Sequence, residues 1–291
     1  MVYRMLALNI DGTLLRSNGR LHQATKEAIE FVQKKDVYVT LVTNRHFQSA
    51  RKLARALKID AILVTHSGAF ISDKIDEPLF ERRLGEEMTY NLVQVLENYE
   101  CHIRIIHERY CIGNRVKVTP HMTGSTVIQS SEPLFYPNQY VESLGDALRD
   151  EPINAPKLEV LFQNKREKEA ASNFLKESFP EITLSDRNKL RFDLTAKGVS
   201  KASGLSLLCS HLGIPMSETV AIGDGPDDRD LIQNAGLGVA MGQAPFEVKQ
   251  AADWITRSNE ESGVAYMIKE HFRKQHRLGY MDKMKIADKK S

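Results

Sequence analysis

Short apolar segments alternate with amphipathic segments at both ends of this 291-residue chain. Strands that read as buried are predicted near the N-terminus at residues 5–10, 37–43 and 61–65. Apolar residues recur at helical spacing in the two segments between these strands. Strand and helix alternate in the same way between residues 199 and 272. This βαβ order predicts a parallel sheet with helices on both faces.

The middle of the chain has a different pattern. From about residue 84 to residue 192 the strands look longer and partly alternate polar with apolar side chains, and helices lie between them. Such alternation suits an antiparallel sheet with one covered face. We therefore predict an α/β fold in which residues 1–83 and 194–291 form a Rossmann-like core. Residues 84–193 form an inserted α+β domain.

Composition and cysteine usage favour an ordinary globular, cytoplasmic protein. The hydrophobic fraction is 42% and the charged fraction is 27%, and no apolar run approaches the roughly 20 residues of a membrane helix. The N-terminus lacks the features of a signal peptide. Cys101 and Cys111 could lie on neighbouring strands, but together with Cys209 they are favoured as buried free thiols.

The C-terminal extension, residues 273–291, is basic. Residues 271–291 contain seven lysines or arginines against Asp282 and Asp288. Nucleic acid or another acidic surface is one conceivable partner for it. We expect a solvated terminus instead, because aromatic residues are too sparse among these charges to serve as stacking platforms.

Polar clusters follow the predicted parallel strands or begin a helix at four places. They are Asn9-Ile10-Asp11-Gly12-Thr13, Thr43-Asn44-Arg45, Lys197 with Lys201, and Gly223-Asp224-Gly225-Pro226-Asp227-Asp228. Ligands of open α/β sheets bind at the carboxyl ends of the strands. Each cluster alone has a structural explanation, such as a turn or a helix cap. Their combined order and placement favour a functional site.

Phosphoryl transfer uses these residue types together. A carboxylate attacks phosphorus, and a second carboxylate two residues later can protonate the leaving oxygen and then activate water. A hydroxyl and an ammonium hold the phosphoryl oxygens, and further carboxylates suit Mg²⁺, which prefers oxygen ligands. The sequence therefore points to a phosphate site.

The set resembles the haloacid dehalogenase superfamily, and within it the Cof-type branch of subclass IIB. The segments LNIDGTLL, VTNR, HSGA, KGVSK and AIGDGPDDRDLIQNAGLGVAMGQA carry the resemblance. It covers residues 1 to about 272 and implies a phosphatase fold with an inserted cap of the C2B type. It also implies Mg²⁺ as cofactor and a small phosphorylated metabolite as substrate.

The resemblance assigns roles to individual residues. Asn9 occupies the place of the nucleophile, and Asp11 that of the general acid/base. The residues implied for phosphate binding are Gly12, Thr13, Thr43, Asn44 and Lys201. Those implied for Mg²⁺ are Asn9, Asp11 through its backbone carbonyl, Asp224, Asp227 and Asp228.

Asn9 is the main departure from the family pattern, because an amide cannot form an acyl-phosphate. Losing a nucleophile usually costs several powers of ten in rate. Asn44, His46, Ser67 and Asp227 also differ from the usual residues. Asp227 adds a negative charge that could offset the charge missing at position 9, so that metal affinity is retained. Natural divergence explains several clustered departures better than one engineered substitution does.

Two functions remain open. One is a Mg²⁺-dependent phosphatase that is weak or inactive because of Asn9. The other is a non-catalytic protein that binds a phosphorylated metabolite, for example in regulation. Arg104, His107 and Arg109 could face a substrate, although a wet sheet face explains them better. We expect no membrane association, no nucleic acid, and a monomer or weak homodimer.

Overall fold

The computed structural model describes residues 2–115 and 136–279 of the chain. The strands are β1 (Met5–Leu8), β2 (Tyr38–Leu41), β3 (Leu63–Thr65), β4 (Phe70–Ser72), β5 (Phe80–Glu81), β6 (Cys101–Ile106), β7 (Cys111–Asn114), β8 (Asn138–Val141), β9 (Lys157–Phe162), β10 (Ile182–Asn188), β11 (Arg191–Ala196), β12 (Thr219–Gly223), β13 (Leu237–Ala240) and β14 (Trp254–Ile255). The helices are α1 (Gln23–Gln33), α2 (Phe47–Ala56), α3 (Glu86–Leu96), α4 (Leu144–Asp150), α5 (Lys165–Ser178), α6 (Lys201–Leu212), α7 (Arg229–Asn234), α8 (Phe246–Gln250) and α9 (Gly263–Phe272).

The chain divides into two compact units. Of the described residues, the first unit comprises 2–43, 50–64 and 201–279, and the second comprises 44–49 and 65–200 apart from the segment outside the description. Each unit contains its own principal sheet.

The first unit is built on a five-stranded sheet in the order β14-β13-β12-β1-β2, and all four pairings are parallel. A parallel bridge between Val42 and Val64 connects the end of β2 to β3. All four residues of β1 are buried, as expected for a parallel strand whose sheet is covered on both faces. The predicted α/β core is confirmed.

The second unit contains a six-stranded sheet in the order β10-β11-β9-β6-β7-β8. Its pairings are antiparallel except that between β7 and β8. Alternate side chains such as Ile103, Leu158 and Phe192 are fully buried and pack with α3 and α5 in one core. Strands β10 and β11 form a hairpin, and in its turn the Leu190 amide donates to Asn188 Oδ1 at 2.9 Å.

The described part of the C-terminal extension contacts the first unit. Lys35 Nζ donates to the carbonyls of Phe272 and Arg273 at 2.7 and 3.0 Å, where α9 leaves carbonyl groups without helical partners. Gln275 exchanges two hydrogen bonds with the backbone of Tyr3, and Arg277 pairs with Asp36. Residues 273–279 are thus largely exposed to solvent, as expected, but several of them contact the first unit. Residues 280–291 lie outside the described residues.

The three cysteines are free and buried, as predicted. Cys101 and Cys111 lie on the paired strands β6 and β7. No helix within residues 2–115 and 136–279 is long and apolar enough to span a membrane.

Candidate active site

The first and fourth polar clusters lie side by side because their strands are neighbours. Leu8 of β1 is paired with Ile222 of β12, and the Asn9 amide continues the ladder by donating to the Ile222 carbonyl at 3.0 Å. The loop that begins at Asn9 and the loop that begins at Asp224 therefore leave the same edge of the sheet. This juxtaposition brings the residues at positions 9–13 to those at 224–228.

A glycine allows the first loop to pass close to the second. Gly12 has φ +72°, a left-handed conformation that glycine adopts without strain. A Cβ atom at this position would lie 2.0 Å from Asp224 Oδ2. Both the backbone angle and the available space therefore require glycine here.

The Asn9 side chain is buried and makes hydrogen bonds through both ends of its amide. Its Nδ2 lies 3.0 Å from the Asp11 carbonyl, 3.2 Å from Asp224 Oδ1 and 3.0 Å from Asp228 Oδ2. Its Oδ1 accepts from Lys201 Nζ at 3.3 Å. The amide thus turns its donor toward the carboxylates and its acceptor toward the ammonium. Reversing it would place N–H groups against Lys201.

Lys201, the first residue of α6, brings a cation into this cluster and is 2% exposed. Its Nζ lies 2.5 Å from Asp227 Oδ2 and 2.6 Å from Asp228 Oδ1. A buried ammonium needs such partners, because an unpaired buried charge is strongly destabilising. The third and fourth predicted clusters therefore meet through Lys201.

Asp228 organises the backbone of the second loop. Its Oδ2 accepts from the amides of Asp224 and Gly225 at 2.9 and 3.1 Å, while its Oδ1 faces Lys201. With a fully buried side chain, Asp228 acts as a structural anchor between the loop and the lysine.

Two contacts were not foreseen from the sequence. Thr13 Oγ1 donates to Asp224 Oδ1 at 2.8 Å, whereas the resemblance implies only that Thr13 binds phosphate. Gln243 Nε2 donates to the Gly12 carbonyl at 2.5 Å. Gln243 belongs to the MGQA segment that carries part of the resemblance, but a single glutamine in a loop gives no signal of its own.

Asp224 is the carboxyl group whose proton affinity this environment changes most clearly. Burial and the nearby Asp228 carboxylate raise its pKa to about 7. Hydrogen bonds from Thr13 and Asn9 and the charge of Lys201 act in the opposite direction. A cation beside Asp224 would favour its ionised form.

The residues implied for Mg²⁺ include oxygen ligands, but one of these oxygens points away from the other two. Adjacent ligands of an octahedral Mg²⁺ ion at about 2.1 Å lie roughly 3 Å apart. Asn9 Nδ2 lies 3.0 Å from the Asp11 carbonyl oxygen and 3.2 Å from Asp224 Oδ1, but this nitrogen is a donor and cannot bind the ion. A site made of Asn9, Asp11 and Asp224 therefore requires the Asn9 amide to rotate, so that Oδ1 takes the position of Nδ2. Within the described ranges, no group of three or more His, Cys, Asp or Glu side chains is arranged to hold a metal ion.

The other residues predicted for the site make none of the side-chain contacts described so far. The Asp11 side chain is exposed, and Thr43 is fully buried with its amide donating to the Val64 carbonyl. Asn44 belongs to the second unit, where its Oδ1 accepts from Ser67 at 2.8 Å. Lys197 is exposed, also in the second unit. The phosphate-binding roles assigned to Thr43 and Asn44 stay predictions.

Known proteins resemble the chain over almost its whole length. The sequence model of the haloacid dehalogenase-like hydrolases matches residues 6–268. The stress response protein YhaX of Bacillus subtilis is 54% identical, covering 97% of this chain and 98% of its own length. The 5-amino-6-(5-phospho-D-ribitylamino)uracil phosphatase YcsE of Bacillus subtilis is 29% identical, covering 91% and 94%.

Solved structures show the same fold. A haloacid dehalogenase-like hydrolase from Bacillus subtilis has a TM-score of 0.81 at 24% identity, over 92% of this chain and 99% of its own. A sugar phosphatase of haloacid dehalogenase subclass IIB has a TM-score of 0.75 at 23% identity, over 92% and 98%.

Proposed function

Because this chain belongs to the haloacid dehalogenase-like hydrolase family, we propose that it is a Mg²⁺-dependent phosphatase of low activity. Its substrate is a small phosphorylated metabolite, whose phosphate binds beside Asn9 and Lys201. The observation that carries this proposal is the position of Lys201 Nζ, which is 3.3 Å from Asn9 Oδ1 and is buried among carboxylates. An ammonium there can hold a phosphoryl oxygen against the residue at position 9.

Asn9 accounts for the low activity. Its amide supplies no carboxylate oxygen for attack on phosphorus, so no acyl-phosphate forms. Positioning and electrostatic stabilisation by Lys201 and the loop amides at Gly12 and Thr13 remain, and such effects leave some catalysis when a nucleophile is lost. Asp11, with its exposed side chain, is the group that would protonate the leaving oxygen.

Mg²⁺ would be held by the Asp11 carbonyl, the Asp224 carboxylate and the Asn9 amide oxygen, with Asp227 and Asp228 contributing negative charge nearby. When bound, the ion would neutralise charge that develops on the phosphoryl oxygens. Asn9 Nδ2 donates to the carboxylates of Asp224 and Asp228, so binding of the ion through Asn9 Oδ1 would require these hydrogen bonds to break.

The names of two similar proteins support a small ester as substrate. YcsE is a phosphatase of 5-amino-6-(5-phospho-D-ribitylamino)uracil, and the subclass IIB structure is that of a sugar phosphatase. Both names describe a phosphate on a short polyhydroxylated chain or ring. We propose a substrate of that size. The free, buried thiols support a reducing, cytoplasmic location.

A second candidate is a non-catalytic protein that binds a phosphorylated metabolite. The favouring observation is that the Asn9 donor satisfies Asp224 and Asp228 directly, so that the pocket does not depend on a metal ion for its internal hydrogen bonds. Turnover distinguishes the two candidates, because this second role requires binding alone.

Both candidate functions require that a phosphate group binds beside Lys201, and calorimetric titration with inorganic phosphate in Mg²⁺ buffer tests this premise. The parent protein should bind phosphate, and Lys201→Gln should weaken binding at least about tenfold, because a hydrogen bond to a charged group is worth roughly 1.5–3 kcal/mol. Lys197→Gln is the matched control, since Lys197 is an exposed lysine that lies shortly before Lys201 in the sequence. Equal phosphate affinity in the parent and Lys201→Gln would contradict the proposal.

A further inference from the structure

Two further loops leave the sheet of the first unit at the same edge as the site described above. β13 pairs in parallel with β12, and β14 pairs in parallel with β13, so residues 241–245 and 256–262 follow the carboxyl ends of these strands. The Gly242 amide donates to the Arg257 carbonyl at 3.0 Å. A Cβ atom on Gly242 would lie 2.9 Å from backbone atoms of the second loop, so glycine allows the two loops to run in contact.

Gln243, in the first of these loops, connects the second loop to Gly12. The backbone amide of Asn259 donates to Gln243 Oε1 at 3.1 Å, and Gln243 Nε2 donates to the Gly12 carbonyl at 2.5 Å. A backbone amide can only donate and a backbone carbonyl can only accept, so these two partners determine the orientation of the Gln243 amide. The side chain is therefore fixed at both ends of its amide, although Gln243 lies at the surface.

The Gly12 carbonyl belongs to the same peptide group as the Thr13 amide. This peptide bond is trans, so its C=O and N–H groups point in opposite directions and turn together. Gly12 has no side chain to resist such a turn, and its φ of +72° already lies in a region that glycine enters freely. The hydrogen bond from Gln243 opposes rotation of the peptide group, and it thereby fixes the direction of the Thr13 N–H.

Thr13 is also held through its side chain. Its Oγ1 donates to Asp224 Oδ1 at 2.8 Å, and the residue is 2% exposed. A hydrogen bond to the carbonyl of a peptide group polarises that group, which makes its N–H a stronger donor. A donor whose direction is fixed in advance stabilises an anionic oxygen without the cost of reorganisation. These contacts therefore suit the Thr13 amide to an oxyanion.

The same loop is anchored again where it continues beyond Thr13. Asn259 Nδ2 donates to the Leu15 carbonyl at 2.9 Å. The Glu260 carboxylate accepts from Arg16 Nε and from the Ser17 amide, both at 2.7 Å. The segment that orients Gln243 therefore also restrains the loop on the other side of the phosphate-binding amides.

We propose that Gln243 is a positioning residue, which aims the Thr13 amide at a phosphoryl oxygen of the substrate. Gln243 acts through the Gly12–Thr13 peptide group, and the backbone of Asn259 keeps Gln243 in place. This inference rests on the proposed function, because it gives Gln243 a part in the same phosphate site.

A single peptide group can be observed directly, because glycine is followed by threonine at one place in the sequence, Gly12–Thr13. Protein labelled with ¹³C at glycine carbonyls and with ¹⁵N at threonine gives one peak in a carbonyl–amide correlation NMR spectrum. The peak is recorded without phosphate and then during a titration with inorganic phosphate in Mg²⁺ buffer. In the parent, phosphate should shift the peak until the site is saturated.

Gln243→Met should move the carbonyl resonance before any phosphate is added, because the Gly12 carbonyl loses its donor. It should also weaken phosphate binding about fivefold, which corresponds to one neutral hydrogen bond. Gln243→Glu has the same length but an ionised carboxylate cannot donate, so it should move the carbonyl resonance as well. Gln250→Met is the matched control, because Gln250 is an exposed glutamine at the end of α8. It should leave both the peak and the affinity unchanged.

The possible results distinguish this inference from the proposed function. The positioning role is overturned, and the phosphate site stands, if the parent binds phosphate and both Gln243 variants leave the peak where it is. The same holds if the variants move the peak but bind phosphate like the parent. If phosphate does not bind to the parent, the proposed function fails and the positioning role fails with it. Thermal unfolding of each variant shows that it is folded.

Discussion

Asn9→Asp should destabilise the protein in the absence of divalent ions, although it restores the family's usual residue. The substitution exchanges the Asn9 Nδ2 donor for an oxygen that lies about 3 Å from carboxylate oxygens of Asp224 and Asp228. The three hydrogen bonds that Nδ2 donates, to these two carboxylates and to the Asp11 carbonyl, become repulsive contacts, and only the contact with Lys201 becomes more favourable. A carboxylate in such a position binds a proton more tightly than it does in the unfolded chain.

Proton uptake limits the size of the effect. In the unfolded chain the carboxyl has a pKa of about 3.9, so keeping it protonated in the folded protein at pH 7 lowers the free energy of unfolding. The loss is at most about 1.4 kcal/mol for each of roughly three pH units, or about 4 kcal/mol. This corresponds to a decrease of about 10 °C in the midpoint of thermal unfolding. Because the folded pKa is raised, the penalty is absent below the unfolded pKa and increases as pH rises toward the folded pKa. Millimolar Mg²⁺ should reverse it, since the ion places charge between the carboxylates.

Thermal unfolding of the parent and Asn9→Asp at pH 4.5 and pH 7.5, with EDTA or with Mg²⁺, measures this effect. Asn18→Asp is the matched control, because Asn18 is exposed and its Oδ1 accepts a hydrogen bond that aspartate can also accept. We expect the control to change stability by less than about 0.5 kcal/mol. An Asn9→Asp variant as stable as the parent in EDTA at pH 7.5 would refute the assigned hydrogen-bond arrangement.

Three other substitutions test the geometry of the same cluster. Gly12→Ala should cost at least about 3 kcal/mol of unfolding free energy, because the added methyl group overlaps Asp224. The control Gly19→Ala should cost only about 1 kcal/mol, because Gly19 has a similar φ of +74° but no atom within 4 Å of the added Cβ. Similar midpoints of the two variants in urea unfolding would contradict this prediction. Asp224→Asn should gain stability relative to the parent as pH rises from 4 toward 7, by up to about 4 kcal/mol. The reason is that burial and a neighbouring carboxylate raise the pKa of Asp224 to about 7. A difference in unfolding free energy that does not change with pH would contradict this raised pKa. Lys201→Met should destabilise the protein by about 3–5 kcal/mol, since the buried carboxylate of Asp228 and the partly buried one of Asp227 lose their cation. Equal denaturant midpoints for this variant and the parent would show that the ion pairs contribute little.

The core could be predicted from the sequence because two independent patterns agree there. Fully apolar segments such as residues 5–8 predict parallel strands, and the polar residues directly after them fall at one edge of the sheet. That reasoning placed Asn9 beside Asp224 without any long-range information. It also placed Lys201 correctly at the start of a helix.

Other features depend on contacts that leave no local pattern. The Thr13 hydroxyl and the Gln243 amide act on residues far away in sequence. The row of charged side chains across β6, β9 and β11 depends on the register of these strands, which places Arg104 and Asp193 on either side of Glu159. Residues 273–279 are mostly exposed, as the basic composition predicts, but their contacts with Lys35 and Asp36 of the α1–β2 connection could not be predicted from that composition.

Hydrolysis of p-nitrophenyl phosphate in Mg²⁺ buffer by the parent and by Asn9→Asp tests the central claim most directly. If the pocket formed by Lys201, Asp224 and the residue at position 9 is that of a phosphatase limited by its missing nucleophile, the variant should turn over at least about a hundredfold faster than the parent. Adding Lys201→Gln to the variant should remove that gain. Equal turnover by the parent and Asn9→Asp would contradict the account, because position 9 would then not control the reaction.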